Sequence, residues 1–167
     1  MYKFCKSSRT FSNRNATMLI NDITAVGTTL GDRDNRGQCF LYDDIMSYSF
    51  SPMRFIEIVR VVVNKNTRRN GHGSKLIDLL KEEYPDVPIF AKAGVLTEEL
   101  YNELKSEDRL QDYIYENIVP FYESNGFIDV NDTILCHSEC VIMCYPESLA
   151  EKYIDRAEAW AREHKNL

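Results

Sequence analysis

FIEIVRVVV, residues 55–63, constrains the fold more than any other stretch of this chain. It is β-branched, apolar and long enough for a central strand. The polar, glycine-containing NKNTRRNGHG (64–73) follows it directly. Then comes SKLIDLLKEEY (74–84), in which Leu76, Ile77, Leu79, Leu80 and Tyr84 repeat with the 3.6-residue period of a helix. VPIFAKA (87–93) reads as a further short strand. Strand, loop, helix and strand in that order place the chain in the α/β class.

The remaining segments fit that class unevenly. Residues 97–118 read as an acidic helical stretch, and VPFYESNGF (119–127) as a helix end with Asn125 or Gly126 as its left-handed cap. FIDVND (127–132) and SECVIMCY (138–145) read as strands. Residues 146–165 form an amphipathic terminal helix with Pro146 in its first turn. Residues 1–36 carry no clear period; DRDNRG (32–37) reads as a loop and 38–49 as a strand followed by a second strand or turn.

With 167 residues and 44% apolar content, the expectation is one soluble domain. No apolar run approaches the ~20 residues of a membrane span, and the N-terminal segment lacks the apolar core of a signal peptide. Five cysteines with no evident disulfide framework predict a reducing, cytoplasmic setting. The net charge of −6 argues against broad nucleic-acid binding and favours cationic partners. The cluster Cys136, His137, Cys140 and Cys144 invites a metal. On a strand neighbouring cysteines of that set lie ~13 Å apart, too far for one tetrahedral zinc, so no metal is expected.

The loop RRNGHGS (68–74) sits where a backbone can wrap an anion. A Walker loop needs Gly-Lys-Ser/Thr, and here the order is Gly73-Ser74-Lys75. A dinucleotide fingerprint needs another glycine where Leu76 stands. The spacing that is met is Arg/Gln-x-x-Gly-x-Gly/Ala, by Arg68, Gly71 and Gly73. This resembles motif A of the GCN5-related N-acetyltransferases, the GNAT superfamily. PFYESNGF (120–127) resembles the end of motif B, close to that of the arylalkylamine N-acetyltransferases, and FIEIV (55–59) resembles the strand entering motif A in histone acetyltransferases. The resemblance covers residues 55–145; 1–54 and the terminal helix do not contribute to it.

The resemblance implies a GNAT fold: a mixed, splayed central sheet flanked by helices, with a C-terminal helix. It implies one domain over 1–167, in which 1–54 holds helices shaping the acceptor side, 55–93 is motif A, 94–145 the motif B region and 146–167 the terminal helix. It implies acetyl-CoA as co-substrate. The backbone of Arg68, Arg69, Asn70, Gly71, His72, Gly73 and Ser74 would ring the pyrophosphate, helped by the two arginine charges and the Ser74 hydroxyl. Backbone groups of Val61 and Val63 would bind the pantetheine arm and the thioester oxygen.

A lysine-like amine is mostly protonated near neutral pH, and freeing it costs roughly 4–5 kcal/mol, so a general base is useful. Glu57 is the candidate, in an apolar run that would raise its pKa; alternation alone leaves open whether it faces a site or solvent. Tyr122 matches the family tyrosine that protonates the leaving thiolate. Tyr115 stands where many members carry an asparagine, and the acidic 94–118 segment is either a wall for a cationic substrate or a solvated helix. The implied activity is direct acetyl transfer in a ternary complex, by a monomer or homodimer with neither nucleic acid nor membrane as partner. The acceptor is a small amine or a protein lysine. A non-catalytic acyl-CoA-binding domain is the alternative.

Overall fold

The computed structural model describes residues 2–27, 53–130 and 140–151. Among these residues six strands form one mixed sheet in the order β1-β2-β3-β4-β6-β5: β1 Tyr2–Ser12, β2 Ala16–Gly27, β3 Met53–Val63, β4 Ile89–Ala93, β5 Ile128–Asp129 and β6 Val141–Tyr145. The helices are α1 His72–Glu83, α2 Glu98–Ser106, α3 Leu110–Asn117 and α4 Val119–Ser124. A 3₁₀ turn at Lys65–Thr67 precedes α1. Residues 147–151 start a further helix after Pro146. Among the described residues no helix is long and apolar enough to cross a membrane.

The β1–β2 hairpin is a correction to the sequence-based expectation, which found no clear pattern in residues 1–36; the helices expected within 1–54 do not fall in 2–27, and 28–52 lie outside the described residues. Residues 2–27 are two long antiparallel strands. Part of the hairpin turn is fixed by Asn13, whose Oδ1 accepts the N–H groups of Asn15 and Ala16. The segments read as a loop (32–37), as a strand (38–49) and as most of the terminal helix lie outside the described residues, as do Cys136 and His137. The acidic 97–118 segment is two helices, not one. Asp108 adopts a left-handed φ of 55° between them, which no α-helix accommodates. Of the two proposed left-handed caps, it is Gly126 that takes positive φ, at 83°.

One face of the sheet carries the main core. Met18, Ile20, Ile56, Ile58, Ile89, Ala91 and Met143 meet Leu76, Ile77 and Leu80 of α1 and Ile114, Val119 and Tyr122 of α3 and α4. Strand alternation turns Ile23, Phe55, Phe90, Ile142 and Cys144 to the opposite face, where they too are buried. There Phe55 and Phe90 meet edge to face at 5.8 Å between centroids.

β3 is antiparallel to β2 and parallel to β4, but the two pairings do not run equally far. With β4 it pairs only at Ile56↔Ile89, Glu57↔Phe90 and Ile58↔Ala91. With β2 it continues to Val63, across a register shift: Ile20 opposes Ile58 while Leu19 opposes Arg60, so Val59 is an extra residue. Such a bulge bends and twists the strand that carries it. The bend falls where β3 leaves β4, so the sheet splays from Val59 onward.

Leu79 and Leu80 are adjacent on α1, the first 47% exposed and the second fully buried. Leu80→Ala should cost about 2–5 kcal/mol in urea unfolding, whereas Leu79→Ala should cost well under about 1 kcal/mol. Equal losses would mean that α1 does not pack as described.

Candidate functional site

The splay leaves an open strand edge that leads to the glycine loop. Asn64 donates its N–H to Asn15 O, in the turn just before β2, at 2.8 Å. Backbone direction alternates along an antiparallel pair, so Val62 turns its groups to β2, and Val61 and Val63 turn theirs to the β4 side. No described strand pairs with β3 on that side beyond Ile58. The Val63 carbonyl does point there, because Arg68 Nε donates to it at 3.4 Å.

The loop from Arg68 to Ser74 brings the predicted anion site together at the N-terminus of α1. Arg69 and Gly71 both have left-handed φ, 65° and 79°. The two glycines do different work. A Cβ at Gly71 would meet nothing within 4 Å, so glycine is favoured there by its backbone angle and the space beside it is open. A Cβ at Gly73 would lie 3.2 Å from the Phe121 ring and 3.3 Å from Val63 Cγ2. Gly73 therefore lets α1, α4 and the end of β3 meet closely. Arg68, Arg69 and Asn70 are exposed. Asn70 Nδ2 donates to Thr67 O, closing the turn before the loop. His72 is half-buried, and its carbonyl accepts from Asn13 Nδ2 at 3.1 Å, so the β1–β2 turn holds the first residue of α1.

Ser74 is half-buried, and its hydroxyl accepts from Asn125 Nδ2 at 3.1 Å while remaining able to donate. Asn125 also donates to Phe121 O at 2.8 Å. Its own carbonyl takes the Lys81 ammonium, which lies over the Tyr145 ring. Asn125 thus ties the start of α1 to the end of α4. The sequence reading weighed Asn125 only as a cap and missed Asn13. The signal that could have found both is an asparagine beside a tight turn, where its side chain caps backbone groups.

Tyr122 is 5% exposed, in edge contact with Phe121 at 5.1 Å and Phe127 at 5.5 Å. Phe121 also touches the Gly73 corner, so Tyr122 lies one side chain away from the loop. Burial pushes the Tyr122 phenol well above its ordinary range, so it stays protonated at neutral pH. Its hydroxyl has no hydrogen-bond partner among the described residues. A buried hydroxyl without a partner is uncommon and marks a place where a ligand atom can satisfy it.

Glu57 stands on the opposite face of the sheet from Tyr122, since its neighbours Ile56 and Ile58 both enter the core that holds Tyr122. It is half-buried, and its Oε1 accepts from Asn21 Nδ2 at 3.0 Å. Its surroundings are therefore less apolar than its own strand suggests. Tyr115 is bonded through its hydroxyl to Asp129 Oδ2 at 2.9 Å. Among the described residues no group of three or more metal-binding side chains occurs.

The order strand, glycine loop, helix, strand, helix, tyrosine and strand, with its splay, is the one that the sequence resemblance implied. No protein-family model and no curated protein matches the chain. Among solved structures the chain is similar to AtaTR bound with AcCoA, at 12% identity and a TM-score of 0.35, over 82% of this chain and 72% of that one. It is also similar to a KacTA–DNA complex, at 13% identity and a TM-score of 0.34, over 84% of this chain and 74% of that one. The second structure contains DNA, so the comparisons lend no support to the expectation of no nucleic-acid partner.

The glycines should respond differently to substitution. Gly71→Ala forces a side chain into a left-handed angle with room around it and should cost about 1–2 kcal/mol. Gly73→Val should cost about 1–3 kcal/mol through the Phe121 and Val63 contacts. In Gly73→Val the loss should shrink when Phe121→Leu is added; for Gly71→Ala it should not. Denaturant melts of the two double-mutant cycles check this.

Proposed function

We propose that the protein is an acetyl-CoA-dependent N-acetyltransferase that moves the acetyl group directly to a primary amine in a ternary complex. The observation that carries this reading is the open β3 edge running into the glycine loop. A pantetheine arm contains amides and can hydrogen-bond a strand edge as another strand would. Val61 and Val63 supply that edge. The free N–H groups and partial positive charge of the α1 N-terminus suit a pyrophosphate. The space beside Gly71 leaves room for one. Arg68 and Arg69 add charge, and Ser74 a hydroxyl. That AtaTR was solved with AcCoA is in keeping with this ligand class.

The chemistry follows from the two ionisable groups. Glu57 takes a proton from the acceptor ammonium. The freed nitrogen lone pair attacks the thioester carbonyl, whose oxygen is held by backbone N–H at the β3 edge. When the C–S bond breaks, the coenzyme A thiolate leaves with the bonding pair and Tyr122 supplies its proton, while the second proton of the acylated nitrogen passes to solvent and solvent reprotonates the tyrosinate. The acceptor is a small amine or a protein lysine.

Acetyl-CoA should raise the melting temperature by mass action. Gly71→Glu should abolish the shift, while Gly71→Ala, equally strained but uncharged, should keep part of it. If Gly71→Glu keeps the full shift, the loop is not the coenzyme site.

Tyr122→Phe should leave stability and acetyl-CoA affinity nearly unchanged, because the hydroxyl it removes has no partner among the described residues. It should lower kcat by about 10²–10⁴-fold, measured as thiol release against panels of amines and peptides. An unchanged kcat removes Tyr122 from the mechanism. Tight coenzyme binding with no turnover on any acceptor would favour a non-catalytic acyl-CoA-binding domain.

Glu57→Gln should cost an acceptor of pKa near 10 about 10²–10⁴-fold in kcat/KM, and an acceptor already neutral at the assay pH clearly less. Equal, small losses for the two would make Glu57 a structural carboxylate.

A further inference from the structure

Asn21 is a polar residue in a place that strand physics would give to an apolar one. It lies in the middle of β2, between Ile20 and Ile23, both fully buried, and is itself only 6% exposed. Asparagine is a poor strand former and is mostly exposed in folded proteins. Its partners explain it. In register, Asn21 stands directly opposite Ser8 on β1 and directly opposite Glu57 on β3. Ser8 Oγ donates to Asn21 Oδ1 at 2.7 Å, and Asn21 Nδ2 donates to Glu57 Oε1 at 3.0 Å. Three side chains form one line across three strands.

The direction of that line is set at its Glu57 end. A serine hydroxyl can donate or accept, so Ser8 tolerates either amide orientation. An ionised carboxylate only accepts, so with Glu57 charged the amide must present its nitrogen. Ser8 then satisfies the oxygen. Glu57 Oε1 is thereby occupied, and Oε2 is the oxygen with no bond to this line.

Resting on the acetyltransferase reading, we propose that Asn21 is a positioning residue for Glu57: its amide, oriented by Ser8, fixes the carboxylate through Oε1 and leaves Oε2 to take the proton of the acceptor ammonium. The proton passes from nitrogen to Oε2, and the nitrogen keeps the lone pair with which it attacks. Among the described residues, the other charged side chains on this face of the strands are Lys6 on β1, Arg60 on β3 beyond the bulge, and Lys92 on β4. None stands opposite Glu57, whose cross-strand partners are Asn21 and Phe90.

The test is the Glu57 carboxyl titration, read by side-chain carbon NMR in the coenzyme-free full chain, with wild type, Asn21→Leu and Asn21→Asp compared. Asn21→Leu removes the donor at similar size and should move the Glu57 titration up by about one pH unit, a tenfold change in its ionisation equilibrium. Asn21→Asp keeps the shape, sets a second carboxylate against the first, and should move it up further. The acidic limb of the kcat/KM profile should move by the same amounts, with acetyl-CoA affinity unchanged. A merely structural asparagine would change the melting temperature and neither titration nor limb. A Glu57 titration unmoved in both variants overturns the proposal, and so does a titration that moves while the acidic limb stays. Failure of wild type to bind acetyl-CoA would strike the acetyltransferase reading itself, and is told apart from failure of the positioning role because the titration uses neither coenzyme nor acceptor.

Discussion

The parting of β3 from β4 after Ile58 is the constraint on which the proposed site depends. Sheets normally keep their ladders closed, because each unpaired backbone group forfeits a hydrogen bond. Here the cause of the opening is local. Val59 is an extra residue against β2, and the bulge bends β3 away from β4 at their last shared pair. The β2 side holds: its pairing resumes at Leu19↔Arg60 and runs to the end of the strand. β3 is thereby anchored on one side and open on the other. The same bend aims its end at the Gly73 corner, where Val63, Phe121 and α1 meet.

Much of this was legible in the sequence because it is local. Residues 55–93 declare strand, loop, helix and strand through β-branched content, glycines and a 3.6-residue period, and the structure follows nearly residue for residue. The β1–β2 hairpin was hidden for two physical reasons. β1 is an edge strand, and Lys6 to Thr10 are all exposed, so it has no alternation to read. β2 is buried on one face from Ala16 to Ile20 and on both faces around Ile20 to Ile23, so its pattern changes part-way. The break at Asp108 was hidden because charged residues run through it without a glycine or proline.

The candidate site divides along the same line. The left-handed Gly71 at the start of α1 and the unpaired edge at Val61 and Val63 could be anticipated, because a motif fixes backbone geometry; the packing of Gly73 against Phe121 and Val63 could not. Side-chain partners could not. Arg68 turns its Nε to the Val63 carbonyl. Asn13 and Asn125, far from the loop in sequence, fix its ends. Asn21 lies 36 residues from Glu57 and meets it only through strand register. Such contacts are made by topology, and no window of sequence contains them.

The two groups assigned to proton transfer also explain why the sheet has to open. Tyr122 belongs to the core beneath α1, while Glu57 projects from the other face of β3. In a closed sheet the backbone of β3 and β4 would separate them, and no single atom could be reached by both. Glu57 is paired with Phe90, one residue before the last β3–β4 pair. It therefore stands at the rim of the opening and not deep within the ladder. A thioester lying along the free edge of β3 would have the glutamate on one face and the tyrosine on the other. An attacking amine could then give up its proton on one side while the leaving sulfur gains one on the other. In the proposed reaction, the bulge at Val59, which reads in isolation as a defect in strand pairing, would let acid and base act on one reacting carbon from opposite faces of the sheet.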